Sequence, residues 1–290
     1  MEEGKVDLVM WTKNGELFLP RVFQRIDEVI PSESIADKII IDDNSTDKTL
    51  RIAGSFNWEI YPNPKGGVSA GAIEALRHVR SKRFVSVEQD LVLAEDWWQR
   101  IPPLLEDKNV VAASGVRLPD KPTSLKLISE YTNERYKLQT ESNLGLRYGK
   151  TLDNTIYRTD LLRKIGGFPR IRINAGVDGV LAKRVDDADC LWKVDFNVVS
   201  LHLRHSFFDE LRHGYWYGTE SMILSQILEE KGNVLTSSLM KAFFSPLRGL
   251  QIALNKKCWE IGLVYPLIRC AIFLGVLRGY TGVARHQSLG

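Results

Sequence analysis

The chain has 290 residues, 44% of them hydrophobic and 26% charged, with a formal net charge of +3. That composition excludes a disordered chain and supplies enough apolar surface for one large domain, or for one domain with an appendage. Three widely spaced cysteines, Cys190, Cys258 and Cys270, suggest neither a disulfide framework nor a zinc knuckle, and they suit a reducing compartment.

The N-terminal MEEGKVDLVM places acidic residues before a short apolar run and has no basic n-region, so it predicts a strand, not a signal peptide, and a cytoplasmic protein. Residues 6–11 (VDLVMW) are apolar enough for a buried strand. Asn14-Gly15 then reads as a turn into an amphipathic helix, in which Leu17, Leu19, Val22, Phe23, Ile26 and Ile30 recur at near-helical spacing and Pro20 lies near the first turn. DKIIIDD (37–43) predicts a second strand, after which Ser45 or Thr46 offers an N-cap for a short helix stopped by Gly54. NWEIYP predicts a third strand, VSAGAIEALRHV a helix, RFVSVEQ a fourth strand, AEDWWQRIPPLL a short helix broken by Pro102-Pro103, and NVVAASGVRL a fifth strand. This alternation predicts βαβ units, hence an α/β fold with a mostly parallel sheet and helices on both faces.

Ligands of such sheets collect beyond the C-terminal strand ends. Four polar clusters fall there: Trp11-Thr12-Lys13-Asn14, Asp42-Asp43-Asn44-Ser45, Asn63-Pro64-Lys65-Gly66-Gly67 and Glu88-Gln89-Asp90. Each alone reads equally well as a solvated loop. Glu88 and Asp90 point to one side of an extended chain, because the side-chain period is two; such a pair is either a surface edge or a site for a divalent cation. No G-x-G-x-x-G follows the first strand and no G-x-x-x-x-G-K-[ST] occurs, so the dinucleotide and P-loop readings lack their phosphate cradle. A cation on Asp90 would neutralise a nucleotide's phosphates instead.

"IIIDDNSTDKTL", "VSVEQDLVLAEDWW" and "LDNTIYRTDLLRKIGGFP", in that order, resemble the large inverting family of nucleotide-sugar glycosyltransferases with the GT-A fold, family 2, over roughly residues 6–225. The resemblance implies that Asp42 and Asp43 contact the base and ribose side of a uridine-type nucleotide, while the backbone near Trp11 and Thr12 lines the base. It implies Asp90 as the direct ligand of Mn2+ or Mg2+ on the diphosphate. Glu88 stands where the family usually has the first Asp of its Asp-x-Asp segment, and Gly71 where many members have Arg or Asn. Lys65 and Gln89, in the same strand-end clusters, join the nucleotide-sugar contacts. A histidine just beyond a later apolar strand often closes the metal site in this family; His205, not His202, matches that place. Asp178, at a helix start after Gly-Gly-Phe, matches the catalytic base, a role that requires a carboxylate within ~2.6 to 3.2 Å of the proton it removes. Its alternative is a plain N-cap, and Asp186, Asp187 and Asp189 are its competitors. Arg212 is a candidate for the leaving diphosphate. Arg135, Arg147 and Lys150 are candidates for an anionic acceptor such as a lipid phosphate, or are solvated charges.

Residues 206–228 read as a helix with an aromatic-rich start. From residue 241 onward seven Lys or Arg face Glu260 alone, a balance of +6 against −3 for the first 240 residues, which points to an anionic surface as partner. Residues 261–277 are apolar but interrupted by Pro266 and Arg269, at or below the length of a single span. Helices lying in the membrane interface are therefore expected, with Trp259 and Tyr265 at the polar boundary. The alternative is packing on the catalytic domain or self-association as a homo-oligomer.

The expected organisation is a GT-A domain over 1–230, with a nucleotide-binding half (1–120) and an acceptor half (121–230), followed by a basic amphipathic helical tail over 231–290. The expected activity is metal-dependent inverting transfer of a sugar from a nucleoside diphosphate sugar, UDP-linked, to a hydroxyl or lipid-linked acceptor at the cytosolic membrane face, with no nucleic acid. A sugar-phosphate nucleotidyltransferase is one alternative, but it normally wants a Gly-rich loop with a catalytic basic residue where this chain has WTKNGE. A non-enzymatic membrane or nucleic-acid interaction protein is the other, and it leaves Asp42, Asp43, Glu88, Asp90 and Asp178 without purpose.

Overall fold

The apolar runs of the first 120 residues form strands and helices close to where their periodicity predicts them. The computed structural model describes residues 4–121, 123–141, 149–203, 206–229 and 232–287. β1 (Val6–Thr12) is buried at every position but Trp11. α1 (Leu19–Val29) turns Leu19, Val22, Phe23, Ile26 and Val29 inward, with Pro20 in the first turn, where its missing N–H costs nothing. Leu17 precedes that helix and is 72% exposed, so it is not part of the apolar face. β2 (Ile35–Asp42), α2 (Thr49–Ser55), β3 (Glu59–Pro62), α3 (Gly67–His78) and β4 (Arg83–Ser86) follow. Neither Ser45 nor Thr46 caps α2. The Ser45 hydroxyl accepts from the Asn14 N–H instead, and the Ser45 N–H donates to Asp42, so these residues tie two loops together.

β5 (Leu91–Val92), α4 (Trp97–Arg100) and β6 (Val110–Pro119) come next, then α5 (Ser124–Glu141), β7 (Thr155–Arg158), α6 (Thr159–Lys164), α7 (Val177–Asp187) and β8 (Leu191–His202). The eight strands form one sheet in the order β3-β2-β1-β4-β7-β6-β8-β5. β3, β2, β1 and β4 run parallel. β7 runs antiparallel to β4 and to β6, and β5 antiparallel to β8. The sheet is thus mixed: helical crossovers, which parallel neighbours require, link the strands from β1 to β4, whereas β7 lies antiparallel between β4 and β6. Side-chain alternation sends Leu8 and Met10 to the face covered by α1, and Val9, Ile39 and Ile41 to the face covered by α3 and α7. Both faces are therefore dry, and each fully buried Leu, Ile or Phe contributes roughly 1.5 to 3 kcal/mol.

The chain clusters into two compact units, Met1–Leu118 with Gly145–Leu203, and Pro119–Leu144 with Arg204–Gly290. The first holds the sheet. The division expected at residue 230 follows pattern and charge, whereas the compact units separate at Leu118 and Leu203 and assign α5 to the helical unit. That unit contains α5 and α8 (Phe207–Ile227), α9 (Val234–Phe243), α10 (Ser245–Lys256) and α11 (Ile261–Gln287). The stretch expected to be interrupted is one helix of 27 residues with Pro266 inside it. Its portion Ile261–Thr281 is long and apolar enough, by length and composition, to cross a membrane.

Glycines set the α8–α11 seam. A Cβ at Gly218 would meet the Ile272 carbonyl, one at Gly275 the Tyr215 carbonyl, and one at Gly279 the Thr219 carbonyl. Small residues four apart on both helices (Gly214 and Gly218; Gly275 and Gly279) let the two backbones approach closely. We expect Gly275→Ala to cost ~1 to 3 kcal/mol by overpacking. Gly262→Ala, which meets nothing within 4 Å, should be neutral or stabilising by up to ~1 kcal/mol. Thermal melts of the two variants distinguish them, and equal melting temperatures contradict a close-packed seam.

Candidate active site

The loops after β1, β2 and β4 are joined by side chains. Gln89 accepts from the Thr12 hydroxyl (2.5 Å) and the Lys13 N–H (3.0 Å), and its amide donates to the Lys13 carbonyl (3.2 Å). Both ends of Gln89 are thus spent on the loop after β1. Asp42 accepts from the Ser45 N–H through Oδ2, while its buried Oδ1 has no partner; the buried Oδ1 of Asn63 has none either. Two orphaned acceptors at a strand end are costly unless a ligand supplies the donors. Asp43 lies 3.6 Å from the Lys13 ammonium and accepts from the Gly67 N–H. Half-buried Trp11 packs edge-on against Phe168 and over Gly71, where a Cβ would come within 2.7 Å of its own Cβ. Glycine at position 71 is therefore what this placement of Trp11 requires. Lys65 lines a recess of about 600 Å3 together with Arg77, Arg170, Arg172 and Asn174.

A second group is assembled by the antiparallel strands. β5 pairs with β8 so that Leu91 faces His202, and the Leu203 N–H donates to the Asp90 carbonyl. This register places the His202 Nε2 3.2 Å from an Asp90 oxygen and 3.6 Å from a Glu88 oxygen. The ligating atoms of Glu88, Asp90 and His202 all lie within 4.8 Å of one another. Arg117, near the end of β6, reaches Glu88 at 3.0 Å and the buried Asp153 at 2.8 Å through the same nitrogen. His205 and Arg147 lie outside the described residues.

Burial raises Asp153 to about 6; Arg117 and His202 act against that shift, and Glu88 adds to it. Burial pulls the His202 imidazole down, but its hydrogen bonds to Asp90 and Glu88 outweigh this and leave it above its ordinary value. Asp178 sits in the first turn of α7 behind the left-handed Gly176, and its Oδ1 accepts from the Gly179 N–H. Burial holds the Asp178 carboxyl above the usual carboxylate range; the Gly179 N–H and Arg117 oppose this, and Glu88 reinforces it. Asp178 therefore lies in the field of the same group. Its competitors Asp186 and Asp187, at the far end of α7, pair with Lys150 and Lys183. Arg135 on α5 and Arg212 on α8 belong to the second unit; Arg212 is largely exposed and pairs with Asp209.

Four carboxylates, Glu88, Asp90, Asp153 and Asp178, thus share one guanidinium and one imidazole. That excess of negative charge, with two carboxylates and an imidazole converging, fits a divalent cation such as Mn2+ or Mg2+. Arg117 already holds Glu88, which leaves Asp90 and His202 as the freer ligands. The sequence reading set His202 aside and passed over Arg117 and Asp153. The signal for all three is long-range strand pairing, which no local motif carries.

Comparison with known proteins bears on the family and the fold. The curated proteins contain no significant match to the chain. Among solved structures, a mannosyltransferase from Pyrobaculum calidifontis in complex with GDP-Man and Mn2+ is similar over 95% of this chain and 87% of its own, with a TM-score of 0.64 at 15% identity. Glucosyl-3-phosphoglycerate synthase from Mycobacterium tuberculosis, in complex with Mn2+, UDP and glucosyl-3-phosphoglycerate, is similar over 80% of this chain and 82% of its own, with a TM-score of 0.56 at 16% identity. The same enzyme with Mg2+ and UDP gives a TM-score of 0.57 at 15% identity, over the same shares of the two chains. These likenesses bear on the fold, which is GT-A. The model of the family described as "Glycosyl transferase family 2" matches residues 7–166, more than half of the chain and most of the strands that carry the acidic group. The chain belongs to glycosyl transferase family 2 and is a nucleotide-sugar glycosyltransferase.

Proposed function

We propose that the chain transfers a sugar from a UDP-sugar, with inversion, to the hydroxyl of a glycan or lipid-linked acceptor in the cytoplasm. The observation that carries this reading is the convergence of Glu88, Asp90 and His202 within 4.8 Å, with Asp178 in the same electrostatic field. The nucleoside would be held by the strand-end loops of β1 and β2. Asp42 Oδ1 and Asn63 Oδ1 are unpartnered acceptors, suited to a base N–H or a ribose hydroxyl, and Asp43 is available for the ribose.

Asp90 and His202 would hold Mn2+ or Mg2+, with Glu88 fixed by Arg117. When bound, the ion neutralises the diphosphate that leaves. Asp178 accepts the proton of the acceptor hydroxyl as that oxygen attacks the anomeric carbon. The bond from the anomeric carbon to the phosphate oxygen breaks, and its electron pair leaves with the nucleoside diphosphate. A single displacement of this kind inverts the anomeric centre. Burial makes Asp178 a stronger base than a solvated carboxylate, which is the direction general base catalysis requires near neutral pH.

Two outcomes test the assignment. Asp90→Ala is expected to remove the Mn2+-dependent part of UDP binding in calorimetry and to lower transfer on the order of 10² to 10³-fold; Glu88→Ala should cost less. Equal UDP affinity with and without Mn2+ in the unmodified protein contradicts the metal role. Asp178→Asn should lower turnover by ~10² to 10⁴-fold while UDP-sugar affinity stays the same. Because Asp178 acts ionised and its pKa is raised, turnover should be full at high pH. It should fall, as pH drops, at a value above the ordinary carboxylate range, and a pH profile of kcat reads that limb. An acid limb kept unchanged in the Asn variant would move the base elsewhere.

A further inference from the structure

Apart from Leu17, Leu50, Ile60 and Leu191, every large hydrophobic side chain exposed among the described residues belongs to the helical unit. On α10, Leu247, Leu250 and Leu254 form one exposed face, opposite the buried Gly249, Ile252 and Ala253. On α11, Leu263, Leu267, Cys270, Leu274 and Leu277 recur at alternating intervals of four and three, an exposed stripe along the helix. Phe243 ends α9 at 72% exposure, and Trp259 between α10 and α11 is 71% exposed. Against this, the buried cluster of the unit consists of Ile252, Ala253 and Ile261. A helical domain surrounded by water turns such faces inward.

Charge decides what covers them. From Gly232 to Gly290 the sole acidic residue is Glu260, against Lys241, Arg248, Lys256, Lys257, Arg269, Arg278 and Arg285. Two of these cations are engaged within the unit: Lys256 pairs with Glu134 at 2.7 Å, and Arg248 lies over the Tyr131 ring. Lys241, Lys257 and Arg278 stay exposed on or beside the helices that carry the apolar faces. The same face on a second copy of the chain would offer these cations Glu260 as the sole acidic residue from Gly232 onward. An anionic bilayer supplies both an apolar medium and the opposite charge.

We propose that α9, α10 and the open stripe of α11 form a docking face for an anionic lipid bilayer. The face shares no residue with the candidate active site, and sedimentation reads vesicle binding without reference to sugar transfer.

The full chain is mixed with vesicles of phosphatidylglycerol or of phosphatidylcholine at low and high salt, and bound protein is sedimented. Each exposed cation near an anionic surface is worth about five-fold in binding, so the three should favour phosphatidylglycerol on the order of 10²-fold. High salt should release most of the protein. A polarity-sensitive dye on Cys270, in a Cys190→Ser and Cys258→Ser background, should shift to the blue on binding. Leu263→Glu with Leu267→Glu, both on the exposed stripe, should weaken binding without lowering the melting temperature. Failure to bind phosphatidylglycerol, together with a concentration-dependent dimer in light scattering, would overturn the proposal in favour of a second copy. Equal binding to both lipids that survives salt and alkaline carbonate would overturn it in favour of a membrane span.

Discussion

One guanidinium holds the site together. Arg117 lies between Glu88, just beyond β4, and Asp153, just before β7, and both carboxylates contact the same nitrogen. Asp153 is buried, and an ionised carboxylate left there without a cation is among the costlier defects a core can carry. Because Arg117 comes from β6 and His202 from β8, the group ties β4, β6, β7 and β8 together at one end. The tie is incomplete in charge, since Arg117 cannot balance four carboxylates. That shortfall is the physical reason a divalent cation belongs at Asp90 and His202 in the proposed reading, rather than a second basic side chain.

The two halves of the sheet contribute in different ways. The parallel half presents loops whose backbone is already committed: Gln89 fastens the loop after β1, Ser45 bridges Asn14 and Asp42, and Asp43 takes the Gly67 N–H. These loops are preorganised, and the orphaned oxygens of Asp42 and Asn63 are what they leave for a ligand. The antiparallel half contributes His202, Arg117 and Asp153, and α7 adds Asp178.

Periodicity made the first half legible. The apolar spacing of α1 and the runs of β1, β2 and β6 are local properties, as are the acidic pairs at 42–43 and 88–90. The place of His202 beside Asp90 was not legible, because it depends on β5, a strand of two residues whose pairing with β8 joins positions more than 100 residues apart. Arg117 read as the end of an apolar strand, and nothing local singled out Asp153; their contact appears only in the folded sheet. Leu17 fitted a helical spacing but precedes the first helical turn. In the tail, counting charge from residue 241 alone missed that α5 brings Glu130 and Glu134 to Lys256. α11 runs through Pro266 as one helix, and its later turns lie close against α8 at the glycine seam.

The account rests on a cation at Asp90 and His202, and anomalous diffraction from crystals grown with Mn2+ and UDP tests that most directly. The expected result is one Mn2+ peak bound by the Asp90 carboxylate and the His202 Nε2, with the Asp90–His202 hydrogen bond broken and Glu88 still on Arg117. A UDP complex with no Mn2+ peak at this pair, or with His202 still hydrogen-bonded to Asp90, would contradict it.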